Sequence, residues 1–399
     1  MNKTQEGIKV ELFTNMMNGL NSVVWCMVLV VLCLAAGFYF SIRMKFPQVR
    51  LFKDMVHLLV HGEKSDTGIT PFQAFAATVG SRVGMGNIAG VATAIFFGGP
   101  GAIFCAVLAL VVCGGIKRIA KIAEYMAPVM CVIYVAFAFA VIFLNITKVP
   151  GVFKLIVTSA FGVNPVFGGI IGSAISWGVK RGIYSNEAGQ GSGAIVCAAA
   201  ECSHPAKQGL VQAFSVYIDT LIVCTSSALI ILLSGCYNTV AKDGTTMLAE
   251  GIPGVEYGIR WAQNALSKCI GPWASKALAI IIIMFVFTSL MGYYYQAEAN
   301  TRYLFKENKT AVWVMRIVFI FSCFSGVLVN GQIIWTMGDT GAGMMAWLNI
   351  IAILLLSKKG FALLKDYEAQ KKEGKDPVFD PEKFGIKDET GVWDKYKNR

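Results

Sequence analysis

The stretch TVGSRVGMGNIAGVATAIFFGGPGAIF, Thr78 to Phe104, places seven glycines and one arginine in a run that is otherwise almost entirely apolar. A second stretch of the same kind is GVKRGIYSNEAGQGSG, Gly178 to Gly193. Glycine weakens a helix by roughly 1 kcal/mol relative to alanine, and a charge at the bilayer centre costs at least about 2.5 kcal/mol. Interrupted backbone at membrane depth is tolerated only where it is buried in protein or lines a wet cavity. The two stretches therefore predict two interrupted membrane helices whose backbone N–H and carbonyl groups are exposed to a ligand at the interruption.

The chemistry of such an interruption is that opened N–H groups attract a carboxylate, and opened carbonyl groups coordinate a cation. Two other interpretations apply to the first stretch. A dinucleotide-binding loop follows a β-strand, and the sequence predicts none before GMGNIAG. The last glycine of GMGNIAG also falls one residue too late for that motif, so this interpretation is disfavoured. The glycines can also form a face of small residues that packs against another helix, and this interpretation is compatible with ligand binding. It does not account for Arg82 or Asn87.

The composition of the whole chain favours a polytopic membrane protein. Of its 399 residues, 55% are hydrophobic and 15% are charged, whereas about a quarter are charged in soluble domains. The net charge of +11 comes from clusters of lysine and arginine between apolar runs, which is typical of cytoplasmic loops and not of nucleic-acid binding.

Apolar runs predict an all-α fold with nine membrane segments. The loop charges place the N-terminus outside and the C-terminus inside. Residues 1–21 form an N-terminal segment, 22–360 the membrane domain and 361–399 a charged cytoplasmic tail, which we expect to be solvated and partly disordered after Leu364. The segments are 22–42, 71–97, 101–116, 125–145, 166–199, 209–236, 276–304, 311–329 and 335–357.

Enzymatic, metal-binding and disulfide chemistry find little support. Most of the eleven cysteines lie inside apolar runs and none forms a C-x-x-C pair, which is typical of small buried hydrophobes. His57 and His61 are four residues apart but lack the glutamate of the zinc-protease motif. The three histidines lie outside both interruptions, and a nucleophile-elbow motif is absent from the sequence. We therefore expect no catalytic residues, no cofactor and no metal other than a coupling ion.

Both interruptions lie in motifs that resemble the alanine or glycine:cation symporter family, the sodium:alanine symporters. The resemblance spans about residues 10–360. It rests on GSRVGMGNIAGVATAIFFGGPGAIF, GGIKRIAKIAEYMAPVM, GVKRGIYSNEAGQGSG, SHPAKQGLVQAF…YIDT, FTSLMGYYYQAEANTRYLF and IWTMGDTGAGMMAWLN.

The resemblance implies two inverted five-helix repeats with one extra N-terminal helix, each repeat beginning with an interrupted helix. It implies a multi-pass protein of the cell membrane in which sodium drives uptake of a small amino acid, alanine or glycine. The choice between these substrates, the D or L form, sodium or proton coupling, the stoichiometry and the oligomeric state stay open.

The resemblance also implies residue roles. The substrate carboxylate would meet the backbone N–H groups of Met85 and Gly86, and further substrate contacts are implied for Tyr184, Ser185, Asn186 and Trp335. Sodium would meet the carbonyl groups of Gly80 and Val83, the amide of Asn87 and the hydroxyl groups of Thr288 and Ser289. For these hydroxyls, back-bonding to their own helix is the competing interpretation.

Several charges lie in or near apolar runs and need partners if buried. They are Arg82, Lys180, Arg181, Glu187 and Asp339. We expect Arg82 to pair with Glu187 or Asp339, in a gating or a structural role.

One feature departs from the family pattern. In the family, two further spans lie between GGPGAIF and GGIKRI, whereas here Phe104 runs directly into CAVLALVVCGGIKRI. An internal deletion of about two membrane helices is therefore implied. It preserves the orientation of every later helix because an even number of crossings is lost. The alternative to an active symporter is thus a transport-incompetent member of the same family.

Overall fold

The structure, a computed structural model, describes residues 2–62, 65, 69–83, 87, 89, 117–328, 331–386, 391, 393 and 396. These residues are mostly helical. The α-helices are α1 Asn2–Val24, α2 Met27–Arg43, α3 Pro47–Arg50, α4 Phe52–Val60, α5 Pro71–Arg82, α6 Lys117–Leu144, α7 Val149–Ala160, α8 Ile171–Asn186, α9 Ser192–Cys197, α10 Pro205–Val216, α11 Thr225–Ser234, α12 Ile259–Cys269, α13 Pro272–Leu304, α14 Lys309–Leu328 and α15 Gly331–Lys372.

Shorter elements connect these helices. A π-helical turn joins α10 to α11, and an antiparallel hairpin precedes α12 in the loop 237–275. The π-helix is Tyr217–Cys224, the 3₁₀ helices are Ile146–Lys148, Gly168–Ile170 and Glu382–Phe384, and the strands are β1 Asn238–Val240 and β2 Met247–Glu250.

Helix length and hydropathy support some of the predicted membrane segments. Among the described residues, five helical runs are long and apolar enough to cross a bilayer: Glu11–Arg43, Tyr125–Leu144, Pro205–Ser234, Pro272–Leu304 and Ile333–Lys372. The predicted segment 101–116 lies outside the described residues, as does most of 71–97 beyond Val83. The all-α membrane class is supported, whereas the nine crossings and their orientation remain predictions.

The interruption in the second stretch is present in the backbone. Helix α8 ends at Asn186, and Glu187 takes a left-handed conformation with φ 51°. Gly191, with φ 78°, is the N-cap residue that precedes α9. A β-carbon at Gly191 would lie 2.7 Å from Oδ1 of Asn349, so both conformation and space require glycine there.

The first stretch begins with a well-defined helix. Thr70 and Gln73 form a capping box at the start of α5, which satisfies two otherwise open backbone N–H groups. Helix α5 ends at Arg82, and Val83 follows in an extended conformation. Of the glycine motif that follows, only Asn87 and Ala89 are described.

The main apolar core holds α5 among its neighbours. Residues from α5, α6, α11, α12 and α13 form one buried cluster that includes Val79, Tyr134, Ile230 and Phe285. The hydroxyl group of Tyr134 shares a 2.7 Å hydrogen bond with Ser227. By contrast, α14 exposes Trp313, Ile317 and Phe321, which is the surface expected to face lipid acyl chains.

The N-terminal helices pack on α15. The indole of Trp25 donates to the carbonyl of Asp339 at 2.7 Å, and the indole of Trp347 donates to the carbonyl of Val24 at 3.0 Å. A β-carbon at Gly343 would lie 2.4 Å from Val24. The contact between α1 and α15 therefore depends on glycine at that crossing.

The C-terminal tail differs from the prediction of a solvated, partly disordered segment. Helix α15 continues to Lys372, and the chain beyond it binds the loop before α10. The backbone N–H of Phe379 donates to the carbonyl of Ser203 at 2.8 Å, and Lys207 pairs with Asp376 at 2.6 Å. The prediction is wrong for this part of the tail because its few aromatic side chains, including Phe379, are buried by the docking.

Docking of the tail encloses His204, whose side chain is fully buried. Its Nδ1 accepts from the backbone N–H of Ala206 at 3.1 Å and so caps α10. Burial lowers the pKa of His204 from 6.5 to about 4, although the nearby carboxylate of Asp366 opposes the shift. The imidazole is therefore neutral in the folded protein at neutral pH.

A pH dependence of stability follows from this depressed pKa. The unfolded histidine binds a proton below about pH 6.5, while the folded one does so only near pH 4. Its contribution to stability is complete above about pH 6.5 and is lost as the pH falls toward 4, by up to about 3 kcal/mol. Thermal unfolding across this range measures the loss. His204→Asn keeps a capping side chain and should flatten the curve, whereas an unchanged slope would contradict the assignment.

Candidate functional site

The end of α8 presents two polar side chains to the π-helical turn Tyr217–Cys224. The hydroxyl of Ser185 donates to Asp219 at 3.1 Å. The amide of Asn186 donates to the hydroxyl of Thr220 at 3.2 Å, while its oxygen accepts from the backbone N–H of Ala188 at 2.9 Å. Ser185 and Asn186, both predicted to bind substrate, are thus fixed against one neighbouring element at the point where α8 ends.

The first interrupted stretch reaches the same carboxylate. The amide nitrogen of Asn87 donates to Asp219 at 2.7 Å, and Asn87 is fully buried. Met85 and Gly86, the predicted carboxylate-binding residues, lie outside the described residues. Asp219 therefore joins Asn87 of the first stretch to Ser185 of the second.

Asp219 was not among the residues identified in the sequence. The signal was present, because it is the only Asp, Glu, Lys or Arg in the predicted segment 209–236, and ionisable residues within membrane segments are often functional. It also lies in a π-helical turn, a feature often found at functional sites. Its importance comes from contacts between residues more than 130 positions apart in the chain, which the sequence pattern does not reveal.

The predicted cation ligands lie on two helices that touch. Gly80 and Val83 are at the end of α5, where the last carbonyl groups of a helix lack partners within it. Thr288 and Ser289 are on α13. A β-carbon at Gly292 would lie 2.3 Å from that of Ser81, so α13 approaches α5 closely just beyond this pair.

The hydroxyl of Thr288 is already hydrogen-bonded. It is buried and donates to the carbonyl of Phe285 at 3.1 Å or Met284 at 3.2 Å. This is the back-bonded arrangement named as the competing interpretation. The hydroxyl oxygen still has lone pairs available, so a role in cation binding remains a prediction.

Asp339 organises a buried cluster of charges. Both its carboxylate oxygens accept from Arg181 at 2.7 Å, and Lys180 lies 3.0 Å away. The guanidinium of Arg181 also lies 5.2 Å from the ring centre of Trp335 and 5.5 Å from that of Tyr184. Such cation–π contacts add to the pairing of the buried charges.

The predicted pairing of Arg82 with Glu187 or Asp339 is wrong. Arg82 donates to the hydroxyl of Ser215 at 2.7 Å because α5 packs along α10, while Asp339 is occupied by the cations of α8. Glu187 accepts from Ser192 at 2.6 Å within the second interruption. The buried positive charge of Arg82 therefore faces α10 and not either predicted acid.

A polar face continues along α10 from Ser215. Gln212 and Gln208 precede it at helical spacing and are 0% and 3% exposed. Their amide atoms have no hydrogen-bond partner among the described residues, and an unmet buried polar group costs about 1–3 kcal/mol. A polar face buried in a membrane helix is expected on the side of a functional path and not of lipid.

Trp335 lines a cavity and packs against the ring of Tyr184. Their ring centres are 5.6 Å apart. The cavity has a volume of about 270 Å³ and contains Arg181 and Asp339 in its wall, together with polar residues of α1 such as Asn18 and Asn21. Trp335 and Tyr184 thus lie together, and Tyr184 directly precedes Ser185, which binds Asp219.

The sequence matches a known family model. The model described as the sodium:alanine symporter family matches residues 10–107 and 104–381. The two matched parts meet at residues 104–107, next to the position where the family pattern was predicted to be interrupted.

Individual relatives agree with this match. The putative sodium/proton-dependent alanine carrier protein YrbD of Bacillus subtilis (strain 168) is 38% identical over 469 positions, covering 94% of this chain and 96% of that protein. The sodium/proton-dependent alanine carrier protein of Bacillus sp. (strain PS3) is 39% identical over 425 positions, covering 84% and 96%. The probable sodium/glutamine symporter GlnT of Bacillus subtilis (strain 168) is 38% identical, covering 90% and 91%.

The first of these alignments is longer than the chain. It runs over 469 positions, whereas the chain has 399 residues, so at least 70 aligned positions have no counterpart here. The two parts of the family match meet at residues 104–107, which agrees with the predicted departure after Phe104, while a deletion of two helices stays a prediction.

Proposed function

The chain belongs to the sodium:alanine symporter family, and on that premise we propose that it couples sodium entry to the uptake of a small amino acid, alanine or glycine, across the cell membrane. The observation that carries this proposal is the buried junction at Asp219. There, Asn87 of the first glycine-rich stretch and Ser185 of the second bind one carboxylate. The two stretches therefore meet at one buried point, which is where secondary transporters of this kind bind their ligands.

The substrate is assigned to the space beside the second interruption. Tyr184, Ser185, Asn186 and Trp335 contribute an aromatic pair and polar groups. In the proposed site, the backbone N–H groups of Met85 and Gly86 donate to the carboxylate of the amino acid. One relative is named for alanine and another for glutamine, and each is 38% identical to this chain. The proposal therefore specifies a small neutral amino acid with a free carboxylate, with alanine as the first substrate to test.

The coupling cation is assigned to the contact between α5 and α13. The carbonyl groups of Gly80 and Val83, the amide oxygen of Asn87 and the hydroxyl groups of Thr288 and Ser289 offer the oxygen ligands that hard cations prefer. The close approach at Gly292 supports this assignment because it brings the two helices together at the required level.

A second candidate is a family member that inserts into the membrane without transporting. The two-part family match and the long alignment favour it, because a scaffold lacking about two helices leaves polar groups at the interruptions without neighbours. Sodium-dependent uptake of radiolabelled alanine by this 399-residue chain, in a transport-deficient host with membrane insertion checked in parallel, separates the two. Saturable, sodium-dependent uptake supports symport, and inserted protein without uptake supports the alternative.

Substitutions at the assigned site refine this experiment. Gly86→Val should abolish uptake because a branched side chain blocks backbone approach, and Thr288→Val should raise the sodium concentration needed for half-maximal uptake. Thr301→Val is the matched control, since Thr301 lies on the same helix and back-bonds to Ala297 at 2.8 Å. Equal effects at Thr288 and Thr301, with no effect at Gly86, would contradict the site assignment.

A further inference from the structure

An apolar groove lies between α10, α15 and the segment that runs from the end of α2 to α4. Its volume is about 360 Å³, which is within the range of about 300–1,000 Å³ found for small-molecule sites. It shares no lining residue with the cavity beside Trp335. Apolar side chains from all three parts line it, among them Met44, Met55, Leu210, Val216, Leu363 and Leu364. The lining therefore fits an apolar ligand.

A glycine of α10 keeps part of this groove open. Gly209 lines the groove and is exposed, and a β-carbon added there meets no atom within 4 Å. Glycine inside a helix is less favourable than almost any other residue, so the helix itself gains nothing from glycine at this position. A larger side chain at position 209 therefore fits without a clash and occupies the groove, which makes this residue the place to test what the groove binds.

One polar atom of a residue in the groove lacks a partner. Gln48 is held from two sides, since its Nε2 donates to the hydroxyl of Ser41 at 2.8 Å and its backbone carbonyl accepts from the hydroxyl of Tyr217 at 2.7 Å. Its Oε1 is buried and has no hydrogen-bond partner within the described part of the chain. A buried acceptor without a donor is unfavourable. The groove therefore suits a ligand that is mostly apolar and carries a hydroxyl group for Gln48.

Positive charge surrounds the groove at the end predicted to face the cytoplasm. Arg43 and Lys45 flank Met44, while Lys359 and Lys365 are on α15, close in sequence to the lining leucines. All four are exposed and form no ion pair with other residues that the structure describes. The acidic residues nearby are already paired with other cations, namely Asp54 with Lys371, Asp366 with Lys383 and Glu368 with Arg50. The rim therefore carries uncompensated positive charge, which attracts anionic lipid headgroups.

The wall of the groove that α3 and α4 form has the character of a segment at the membrane surface. Phe46, Val49 and Phe52 are 54, 79 and 44% exposed, and Lys45 and Lys53 are exposed beside them. Exposed apolar side chains next to lysines are typical of a segment at the boundary between headgroups and acyl chains. Lipid is therefore the nearest source of a ligand with an apolar chain and an anionic head.

We propose that the groove binds an anionic phospholipid, with one acyl chain against α10 and α15 and the headgroup on the rim formed by Arg43, Lys45, Lys359 and Lys365. A headgroup hydroxyl, as in phosphatidylglycerol, donates to Oε1 of Gln48. The bound lipid links α2, α10 and α15 and so stabilises the folded chain. This inference does not rest on the proposed function, because it needs neither sodium nor an amino acid.

The test is thermal unfolding of the purified full-length chain in detergent micelles with added lipid. Dioleoylphosphatidylglycerol is compared with dioleoylphosphatidylcholine, since a ligand that binds the folded state raises the midpoint. We expect the first lipid to raise the midpoint by several degrees and the second to have little effect. Gly209→Leu fills the groove and should lose the shift. Gly151→Leu changes an exposed glycine of α7 that also has no atom within 4 Å of an added β-carbon, and it should retain the shift.

Charge variants test the headgroup separately and keep the experiment decisive if Gly209→Leu does not fold. Lys45→Gln combined with Lys359→Gln should need a severalfold higher phosphatidylglycerol concentration for the half-maximal shift. Lys148→Gln combined with Lys154→Gln, two exposed lysines on the opposite predicted side of the membrane, should not.

Three outcomes would contradict the inference. A phosphatidylglycerol shift that persists unchanged in Gly209→Leu overturns the groove as the binding site, and an equal shift with phosphatidylcholine overturns the assignment of the headgroup. A wild type that responds to neither lipid overturns the inference as a whole. A loss of stability in Gly209→Leu would then show that protein, and not lipid, fills the groove.

Discussion

Asp339→Asn is expected to lower the free energy of unfolding by about 3–5 kcal/mol, the usual effect of removing one partner from a buried ion pair. The asparagine keeps the shape of the side chain but leaves Arg181 and Lys180 without a negative charge. Arg181 loses a two-pronged interaction in which both distances are 2.7 Å. The aromatic rings around the two cations offset only part of this loss.

Unfolding of the purified protein measures the effect of Asp339→Asn. Glu307→Gln is the control, because it removes a carboxylate from an exposed pair with Arg302 and exposed pairs contribute at most about 1 kcal/mol. Similar losses in the two variants would show that the cluster around Asp339 is not the stabilising feature described here.

Gly292→Val is the second substitution expected to have a large effect. A β-carbon at position 292 would lie 2.3 Å from the β-carbon and 3.1 Å from the α-carbon of Ser81. Backbone atoms do not yield as side chains do, so α13 must move away from α5. We expect a loss of about 1–3 kcal/mol, the usual cost of overpacking, and loss of any sodium-dependent uptake because the predicted cation ligands separate.

A control and a compensating change make this prediction specific. Gly360→Val places the same side chain in a helix at a position with no atom within 4 Å of the added carbon, and it should be nearly neutral. Ser81→Gly combined with Gly292→Ala should recover most of the stability that Gly292→Ala alone loses. Failure of the double variant to recover would place the defect elsewhere.

The sequence predicted those features that depend on local composition. The apolar runs correspond to helices such as α6 and α13, and the glycines and charges between Gly178 and Gly193 correspond to the backbone interruption after Asn186. Both follow from residues close together in the chain. The helix propensity of glycine and the cost of a charge in a membrane are sufficient to locate them.

Pairings between distant residues could not be predicted in the same way. Arg82 had two acids available in the sequence, and only the packing of α5 against α10 shows that it binds Ser215 instead. The role of Asp219 likewise depends on how three segments meet. The tail was predicted to be solvated because it is charged, whereas its aromatic side chains Phe379 and Tyr367 are buried in the structure.

Helix α15 spans 42 residues, which at 1.5 Å per residue is about 63 Å, roughly twice the thickness of the hydrocarbon layer. Asp339 binds Arg181 near one end of it, and Asp366 contacts His204 and Lys383 near the other, about 40 Å away along the axis. A stiff rod behaves as a lever, so a tilt about its middle moves these two ends in opposite directions. The buried ion pair at Asp339 and the docked tail at Asp366 are therefore joined by one continuous helix.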